Sequence, residues 1–332
     1  PPRASATAPV PPSLSTPSTR RSSPSPATGR RRTLPRVGDR LGRYVVQERL
    51  GEGSTAIVFR SFHDALGVPV AVKVFRPEAM VQVDFLSEAR TLAKLDHANI
   101  VRVLDVEEDP VPFIVFEYVG AMTLEDLVKA SGRLPLDRVL ELGIELASGL
   151  QAAWQQSLLH RDVKPTNVLL RRDGRAKLVD FGLAVVRQSL GGLSADQACG
   201  SPAFMAPEQI LRPGEVDHRA DMYGLGATLY NAAYGQPPLI KSTPAETLRA
   251  QLHDEPIPLN ERIEAFDAQS SKLIQKLLQK KPKDRFDDWD EVIELFVTLR
   301  SRSARSREET DRSAKKTLRR TLSSIWTRKV GT

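Results

Sequence analysis

The sequence contains a single cysteine, Cys199, and no uninterrupted apolar run of the length that a membrane helix needs. One cysteine excludes an internal disulfide framework and a multi-thiolate metal site, which fits a reducing compartment. A bilayer-spanning helix takes about 20 mostly apolar residues, so no transmembrane span is expected within this chain. We therefore expect a cytoplasmic protein, with membrane association left open through the C-terminal tail or flanking segments.

Positive charge is scarce in the middle of the chain and concentrated at its ends. The formal net charge is +7; residues 1–40 contribute +7 and residues 300–332 contribute +8, which leaves −8 for residues 41–299. A nucleic-acid-binding domain normally carries a basic face on its folded surface. Nucleic acid is therefore not expected as a partner of the central region.

The two ends differ from the middle in composition. Residues 1–36 hold nine prolines and no aromatic residue, too little apolar surface to offset chain entropy, so residues 1–40 are predicted to be a disordered tail. Residues 300–332 are a basic tail, in which Leu318, Leu322, Ile325 and Trp326 recur at helical spacing. This segment is either an amphipathic helix that binds a partner or an anionic membrane surface, or a solvated tail that docks loosely on its own acidic domain.

The pattern of apolar residues divides the middle of the chain in two. Residues 44–119 alternate as β-strands do, with one helix predicted over Phe85–Leu95. Helical spacing then dominates, with predicted helices at Leu124–Lys129, Leu136–Gln156, Ala220–Tyr234, Pro244–Leu252, Ser271–Leu278 and Asp288–Leu299. The prediction is an α+β fold of residues 41–299, with a small antiparallel β-rich lobe (41–119) and a larger, mainly helical lobe (120–299).

Two features of the β-rich part indicate a phosphate site. A glycine-containing loop, residues 51–58, lies between two predicted strands, where glycines let backbone amides approach phosphate oxygens; alone it is more often a plain turn. Lys73 lies on a strand in an apolar context and needs a partner, for which Glu88 on the predicted helix is the natural candidate. Without the other motifs, an edge-strand lysine that blocks aggregation is an equally good interpretation.

The most specific signal is the run His160-Arg161-Asp162-Val163-Lys164-Pro165-Thr166-Asn167, followed by Asp180-Phe181-Gly182 and Ala206-Pro207-Glu208. With the glycine-rich loop and the strand lysine, these motifs stand in the order and spacing of the eukaryotic-type (Hanks-type) protein serine/threonine kinases, which the chain resembles over about residues 43–299. The sequence as a whole most resembles the bacterial members of this family. The resemblance implies the bilobal protein-kinase fold, with one regulatory helix in the small lobe.

The resemblance also implies an enzyme that transfers the γ-phosphoryl group of ATP, with Mg²⁺, to serine and threonine hydroxyls of protein substrates. Asp162 would orient the attacking hydroxyl and Lys164 would steady the γ-phosphate. Asn167 and Asp180 would hold Mg²⁺, for which oxygen ligands are suited. Lys73, held by Glu88, would bind the α- and β-phosphates.

The nucleotide-binding residues implied by the resemblance come from both lobes. Val58, Ala71 and Leu169 would sandwich the adenine ring, and the backbones of Glu117 and Val119 would bond it. The full predicted set is Leu50, Gly51, Glu52, Gly53, Ser54, Thr55, Ala56, Ile57, Val58, Ala71, Lys73, Glu117, Val119 and Leu169. Generic core packing is the alternative for the apolar members of this set.

Further residues take structural or regulatory roles in the same resemblance. Asp221 resembles the buried aspartate that holds the catalytic loop, and Arg285 the arginine that pairs with Glu208. Arg161 beside Asp162 is typical of kinases in which phosphorylation orders the activation segment, which predicts autophosphorylation at Ser194 or Ser189. A stack of Leu92, Val103, His160 and Phe181 would join the lobes in the active state.

The motifs argue against two other classes of function. A pseudokinase or scaffold would lack the strand lysine, the catalytic aspartate or the metal-binding aspartate, and all three are present. A small-molecule kinase would lack Ala206-Pro207-Glu208 and the long segment before it, which are present too.

Overall fold

A computed structural model describes residues 34–53, 55–76, 89–90, 92–108, 111–181, 202–264 and 266–307 of the chain. Several sequence predictions fall outside these residues. They concern most of tail 1–40, Ser54, most of the predicted helix Phe85–Leu95 with Glu88, the hydroxyls Ser189, Ser194 and Ser201, Cys199, and the basic segment from residue 308 onward.

An antiparallel sheet forms the small lobe. Its strands are β1 (Arg40–Leu41), β2 (Tyr44–Glu52), β3 (Ala56–His63), β4 (Val68–Phe75), β5 (Val103–Glu107) and β6 (Phe113–Glu117), arranged in the order β1-β2-β3-β4-β6-β5. The alternation seen in the sequence is confirmed, because successive residues of a strand face opposite sides of the sheet. Residues 89–90 and 92 are helical.

The register of the sheet separates a buried apolar face from the face that carries Lys73. Val58 pairs with Lys73, and Lys73 pairs with Ile114. The neighbouring row, Phe59, Val72 and Val115, points to the opposite side and lies in the separate core of the small lobe. The lysine therefore faces the large lobe rather than this core.

The predicted glycine-rich loop is shorter in the structure than the sequence suggested. Strand β2 continues through Gly51 and Glu52, which pair with Val58 and Ile57 of β3. The prediction that the loop begins at Gly51 was therefore wrong, whereas the extended character predicted from Ala56 onward is confirmed by β3. The reason is that a register shift between Arg49 and Gly51 lets the ladder continue to the tip of the hairpin, where Gly53 donates a 2.9 Å hydrogen bond to the carbonyl of Ala56.

Helices dominate the described residues of the large lobe. They are α1 (Leu124–Ser131), α2 (Leu136–Gln155), α3 (Pro207–Leu211), α4 (His218–Tyr234), α5 (Pro244–His253), α6 (Leu259–Arg262) and α7 (Ala268–Leu277), with residues 289–307 as the final helix. A short hairpin, β7 (Val168–Leu170) and β8 (Ala176–Leu178), completes it. The α+β bilobal prediction is confirmed.

Helix α4 is the centre of the large lobe. Fifteen of its residues are buried, so the helix is packed on every side and most of its buried residues are apolar. It begins at His218, because the side chain of Asp217 accepts a 2.8 Å hydrogen bond from the Arg219 amide and caps the helix. The sequence pattern had placed its start two residues later.

The final helix extends beyond the predicted end at Leu299. Arg300 donates to Glu141 at 2.6 Å, and the Ser303 hydroxyl donates to Asp137 at 2.5 Å. These polar contacts with α2 continue where the apolar pattern stops, which explains why periodicity alone ended the helix early. Among the described residues, no helix combines the length and the apolar character needed to cross a bilayer.

Candidate active site

The loop between α2 and β7 is held by Asp221 of helix α4. Its two carboxylate oxygens accept hydrogen bonds from the backbone amides of His160, at 2.8 Å, and Arg161, at 2.7 Å. Arg161 has a positive φ of 61°, a strained conformation that this double hydrogen bond helps to hold. Burial raises the pKa of Asp221, although His160 and the two backbone hydrogen bonds oppose the rise.

Asp162, Lys164 and Asn167 converge in this loop. The Lys164 ammonium lies 2.7 Å from Asp162 Oδ2, and both side chains are largely buried. Asn167 Nδ2 donates to the Asp162 backbone carbonyl at 2.8 Å and to its carboxylate at 3.1 Å. The structure therefore brings together the three residues that the motif predicted, with the carboxylate positioned from two sides.

Lys73 reaches across the cleft between the lobes to Asp180. Its ammonium nitrogen lies 2.7 Å from Asp180 Oδ1, and only 7% of the lysine side chain is exposed. Desolvation acts to raise the pKa of Asp180, but the charge and hydrogen bond of Lys73 outweigh it, so the pKa lies below the usual range. The partner predicted for Lys73, Glu88, lies outside the described residues.

Part of the predicted stack between the lobes is present. The rings of His160 and Phe181 are 4.5 Å apart, centroid to centroid. Leu92 and Val103 belong to the same continuous core as Phe181. That core contains residues of both lobes, so apolar packing connects them next to the catalytic loop.

A partly buried ion pair that the sequence did not predict joins the end of β6 in the small lobe to β8, the strand before Asp180. Lys177 of β8 donates to Glu117 Oε1 at 2.6 Å and to the carbonyl of Ile100 at 3.0 Å. Glu117 also accepts from the backbone amide of Arg102 at 2.9 Å. Burial, and then the charge of Lys177, lower the pKa of nearby His97. The sequence signal was a lysine in an otherwise apolar three-residue strand.

The predicted nucleotide residues lie on both sides of the cleft. Val58, Ala71 and Leu169 are only partly buried, although each lies in a strand with fully buried neighbours. Leu50, Thr55, Glu117 and Val119 are partly exposed, Gly51, Glu52 and Gly53 are exposed, and Ala56 and Ile57 are buried. Ile57 belongs to the opposite, small-lobe core, so its predicted nucleotide contact has no support from its position. Ser54 lies outside the described residues.

Gln209 links the segment after residue 201 to the catalytic loop. Its amide oxygen accepts a 3.0 Å hydrogen bond from the Ala206 amide, and its amide nitrogen donates to the Arg161 carbonyl at 2.7 Å. Arg161 Nε is buried without a hydrogen-bond partner among the described residues. The role of Gln209 was not predictable from the sequence, because one glutamine beside Ala206-Pro207-Glu208 forms no pattern of its own.

Glu208 and Arg285 form a buried ion pair, as predicted. The guanidinium makes two contacts with the carboxylate, at 2.5 and 2.8 Å, and the arginine side chain is fully buried. Arg285 also donates to the carbonyls of Arg219 and Gln279. Two parallel contacts of this kind fix orientation as well as distance, so the start of α3 is anchored to the base of the large lobe.

The donor set beside the catalytic loop suits a hard divalent ion that is shared with phosphate. Because Asn167 uses its amide nitrogen on Asp162, its amide oxygen is left to accept. Asp180 uses Oδ1 for Lys73, which leaves its second oxygen. The described residues contain no group of three or more His, Cys, Asp or Glu that could hold a metal ion.

Comparison with known proteins gives a consistent picture. Residues 44–295 match the model of the protein kinase domain. The chain is 30% identical over 272 residues to a probable serine/threonine-protein kinase of Clostridium acetobutylicum, covering 80% of this chain and 41% of that protein. It is 33% identical over 255 residues to the serine/threonine-protein kinase PknB of Mycobacterium tuberculosis, covering 74% and 41%. For a probable serine/threonine-protein kinase of Streptomyces coelicolor the values are 32% over 262 residues, 76% and 39%. The chain thus spans about two-fifths of the length of these bacterial relatives.

Proposed function

The chain belongs to the protein kinase family, and we propose that it transfers the γ-phosphoryl group of ATP to serine and threonine hydroxyls of protein substrates. The observation that carries the proposal is that Lys164 and Asn167 both lie within hydrogen-bonding distance of the Asp162 carboxylate. Lys73 and Asp180 face this group across the cleft. Phosphoryl transfer needs this kind of positioning and charge neutralisation more than it needs covalent chemistry.

Each charged residue takes one role in the proposed transfer. Asp162 accepts a hydrogen bond from the acceptor hydroxyl, orients its oxygen toward the γ-phosphorus and receives its proton as the new P–O bond forms. The bond from the γ-phosphorus to the β,γ-bridging oxygen breaks, and ADP leaves with those electrons. Lys164, now 2.7 Å from Asp162, neutralises charge on the transferring group.

The nucleotide is proposed to lie between the two lobes. Val58 and Ala71 contact the adenine from the small lobe and Leu169 from the large lobe, and the backbones of Glu117 and Val119 bond its edge. Lys73 binds the α- and β-phosphates. Asn167 and Asp180 would hold Mg²⁺, which when bound neutralises phosphate charge.

Phosphorylation of the segment before Pro202 is proposed to regulate the enzyme. Arg161 precedes the catalytic aspartate, and its Nε is buried without a partner among the described residues. A phosphate on Ser194 or Ser189 would satisfy this guanidinium with charge-assisted hydrogen bonds. Phosphosite mapping after incubation with Mg-ATP tests this step; a fully active chain without phosphate on residues 182–201 would contradict it.

The central test is transfer of labelled phosphate from ATP to a protein substrate by the purified chain. We expect phosphoserine and phosphothreonine and a loss in kcat of about 10²–10⁴-fold in Asp162→Asn, the range for a general base. Asp173→Asn is the matched control, because Asp173 lies in an exposed turn where asparagine is also favoured. Absence of any Mg-dependent transfer by the wild-type chain would refute the proposal.

A further inference from the structure

We propose that Ser303 of the final helix is phosphorylated by a second copy of this kinase, and that the phosphate releases residues 300–307 from α2. The inference rests on the function proposed above and adds to it a modification site and the effect of the modification. The two helices meet at a contact in which the Ser303 hydroxyl donates a 2.5 Å hydrogen bond to Asp137 Oδ1.

Asp137 is the centre of the polar contacts at the start of α2. It lies in the first turn of this helix, and only 11% of its side chain is exposed. Arg307 forms an ion pair with its Oδ2, and the guanidinium of Arg300 lies 3.9 Å from its Oδ1. One carboxylate therefore holds three residues of the final helix, two through charge and one, Ser303, through a hydroxyl.

The segment after Leu299 is attached to the lobe through polar contacts. Leu299 still belongs to the apolar core, whereas the next eight residues are four arginines, three serines and one alanine. Besides the contacts with Asp137, Arg300 donates to Glu141 at 2.6 Å and Arg302 donates to Gln269 at 2.6 Å. Segments with few buried apolar contacts open locally at a low cost in free energy. The serines of this segment can therefore become accessible without unfolding of the lobe.

A pocket beside Ser303 has room for a phosphate. It has a volume of about 250 Å³ and lies between the start of α2, the start of α7 and the final helix, with Ser303, Arg302 and Arg307 among its lining residues. Its acidic lining residue, Asp267, would repel a phosphate. Space therefore permits the modification, while charge opposes keeping the modified segment in place.

A phosphate on Ser303 would reverse the contact with Asp137. A hydroxyl that donates to the carboxylate becomes a group with a charge of about −1.5 to −2 at neutral pH, and two anions in contact repel each other. Arg302 and Arg307 are neighbours of Ser303 on the same helix, and guanidinium groups bind phosphate strongly. The phosphate would draw Arg307 from Asp137 and Arg302 from Gln269. The segment would then lose its contacts with both α2 and α7.

The length of α2 requires that a second copy phosphorylates Ser303. This helix has 20 residues, about 30 Å at 1.5 Å per residue. Ser303 contacts its first turn, whereas the loop with Asp162 follows its last. Leu299 lines the same pocket at the start of α2, and four extended residues beyond it span at most about 14 Å. Ser303 therefore cannot reach Asp162 of its own chain.

The transfer uses the chemistry proposed above. The Ser303 oxygen attacks the γ-phosphorus of the ATP bound by the other copy, and its proton passes to Asp162 of that copy as the new P–O bond forms. The bond from the γ-phosphorus to the β,γ-bridging oxygen breaks, and ADP leaves with those electrons. The products are phosphoserine and ADP, and no further reactant is needed.

Two forms of the chain, mixed with Mg-ATP, test the transfer. The acceptor is the Asp162→Asn chain, labelled with heavy nitrogen, and the enzyme is the unlabelled wild-type chain. We expect mass spectrometry to find phosphate on Ser303 of the acceptor, and none when the acceptor is incubated alone. If the wild-type chain labels other residues or another protein but not Ser303, the inference fails and the kinase proposal stands. If it labels no protein, the proposed function fails as well.

A chain synthesised with phosphoserine at position 303 tests the release without relying on kinase activity. Hydrogen exchange of the amides of residues 300–307 should be about 10–100-fold faster than in the unmodified chain, the range for losing one hydrogen bond to a charged group. Phosphoserine at position 301 is the matched control. Ser301 is exposed and lies about 200° around the helix from Ser303, so exchange should stay close to the unmodified rate. Unchanged or slower exchange with phosphoserine at position 303 would overturn the proposed release.

Asp137→Asn locates the effect at the carboxylate. An amide is neutral and does not repel a phosphate, so the ratio of exchange rates with and without phosphoserine at position 303 should fall severalfold in this variant, as for two groups in contact. The same ratio in both backgrounds would show that Asp137 does not mediate the release, which contradicts the proposed mechanism.

Discussion

The ammonium of Lys73 lies 2.7 Å from Oδ1 of Asp180, across the cleft between the lobes. The two residues are 107 positions apart in the chain, so the ion pair joins a strand of the small lobe to the end of the hairpin of the large lobe. It neutralises charge at the place where we propose that the phosphates and Mg²⁺ bind. A bound nucleotide and its metal ion would therefore interact with Lys73 and Asp180 while these two residues also interact with each other.

Replacing Lys73 should weaken catalysis and change the pH dependence of metal binding. We expect Lys73→Met to lower kcat/KM by about 10²–10³-fold, as loss of one preorganised charge does. The lysine lowers the pKa of Asp180 against desolvation. Without it the pKa should rise, so Mg-ATP affinity should fall at a higher pH than in the wild type. Calorimetric titrations from neutral to mildly acidic pH measure this shift.

Lys272→Met is the control for the loss of a lysine, because Lys272 is exposed on the surface of α7, away from the cleft. Its activity and its pH profile for Mg-ATP binding should match the wild type. An unshifted profile in Lys73→Met would contradict the assigned effect of the ion pair on Asp180.

The pair Lys177–Glu117 is expected to hold the end of β6 in the position that binds ATP. Lys177→Met removes the cation that holds the Glu117 carboxylate at 2.6 Å and should raise the KM for ATP about tenfold with a smaller change in kcat, as expected for a loss of binding energy. Glu117→Gln should act in the same direction. Steady-state kinetics of both variants and the double variant test whether their effects are coupled, as contact predicts.

Lys177→Arg serves as the conservative variant, since it keeps the charge. It should recover part of the ATP affinity that Lys177→Met loses. If Lys177→Met, Glu117→Gln and the double variant change only the unfolding midpoint and not the KM for ATP, the pair stabilises the fold without positioning the nucleotide.

Breaking the pair Glu208–Arg285 should strongly destabilise the protein. Arg285→Met leaves the largely buried Glu208 carboxylate without its cation, which typically lowers the free energy of unfolding by about 3–5 kcal/mol. Removing both charges, in Arg285→Met with Glu208→Leu, should be less damaging than the single change. Urea unfolding of the three proteins gives the comparison, and equal losses in single and double variants would argue against an uncompensated charge.

Packing between α2 and the final helix leaves no room for a side chain at Gly143. A Cβ there would lie 2.6 Å from the ring of Phe296. We expect Gly143→Ala to lower the free energy of unfolding by about 1–3 kcal/mol, the usual cost of overpacking. Adding Phe296→Leu should recover part of the loss. Gly174→Ala, in an open turn with φ +85°, controls for backbone strain without overpacking.

The sequence predicted the parts of the site that lie close together in the chain. Asp162, Lys164 and Asn167 stand within six residues of one another, so their local motif determines most of their geometry. The two lobes were also predictable, because a period of two and a period of 3.6 are distinct in the apolar pattern. The role of Asp221 was predicted from the resemblance to the family, since the neighbouring residues of an aspartate inside a mostly apolar helix do not indicate what it binds.

Contacts between distant residues were not predictable in the same way. Lys177 and Glu117 are 60 residues apart, and the apolar strand around Lys177 indicates a buried lysine without indicating its partner. Periodicity also failed where polar contacts take over from apolar ones, as at Ser303 beyond the predicted end of the final helix. The extent of the glycine-rich hairpin depended on a register shift in β2, which residue types alone do not reveal.

A single side chain, Gln209, connects two parts of the large lobe. Its oxygen accepts from Ala206 and its nitrogen donates to the carbonyl next to Asp162. Under the function proposed above, a protein substrate that contacts residues 202–206 would also be connected, through this amide, to the backbone beside Asp162. Selection of the substrate and orientation of the catalytic carboxylate would then depend on one side chain.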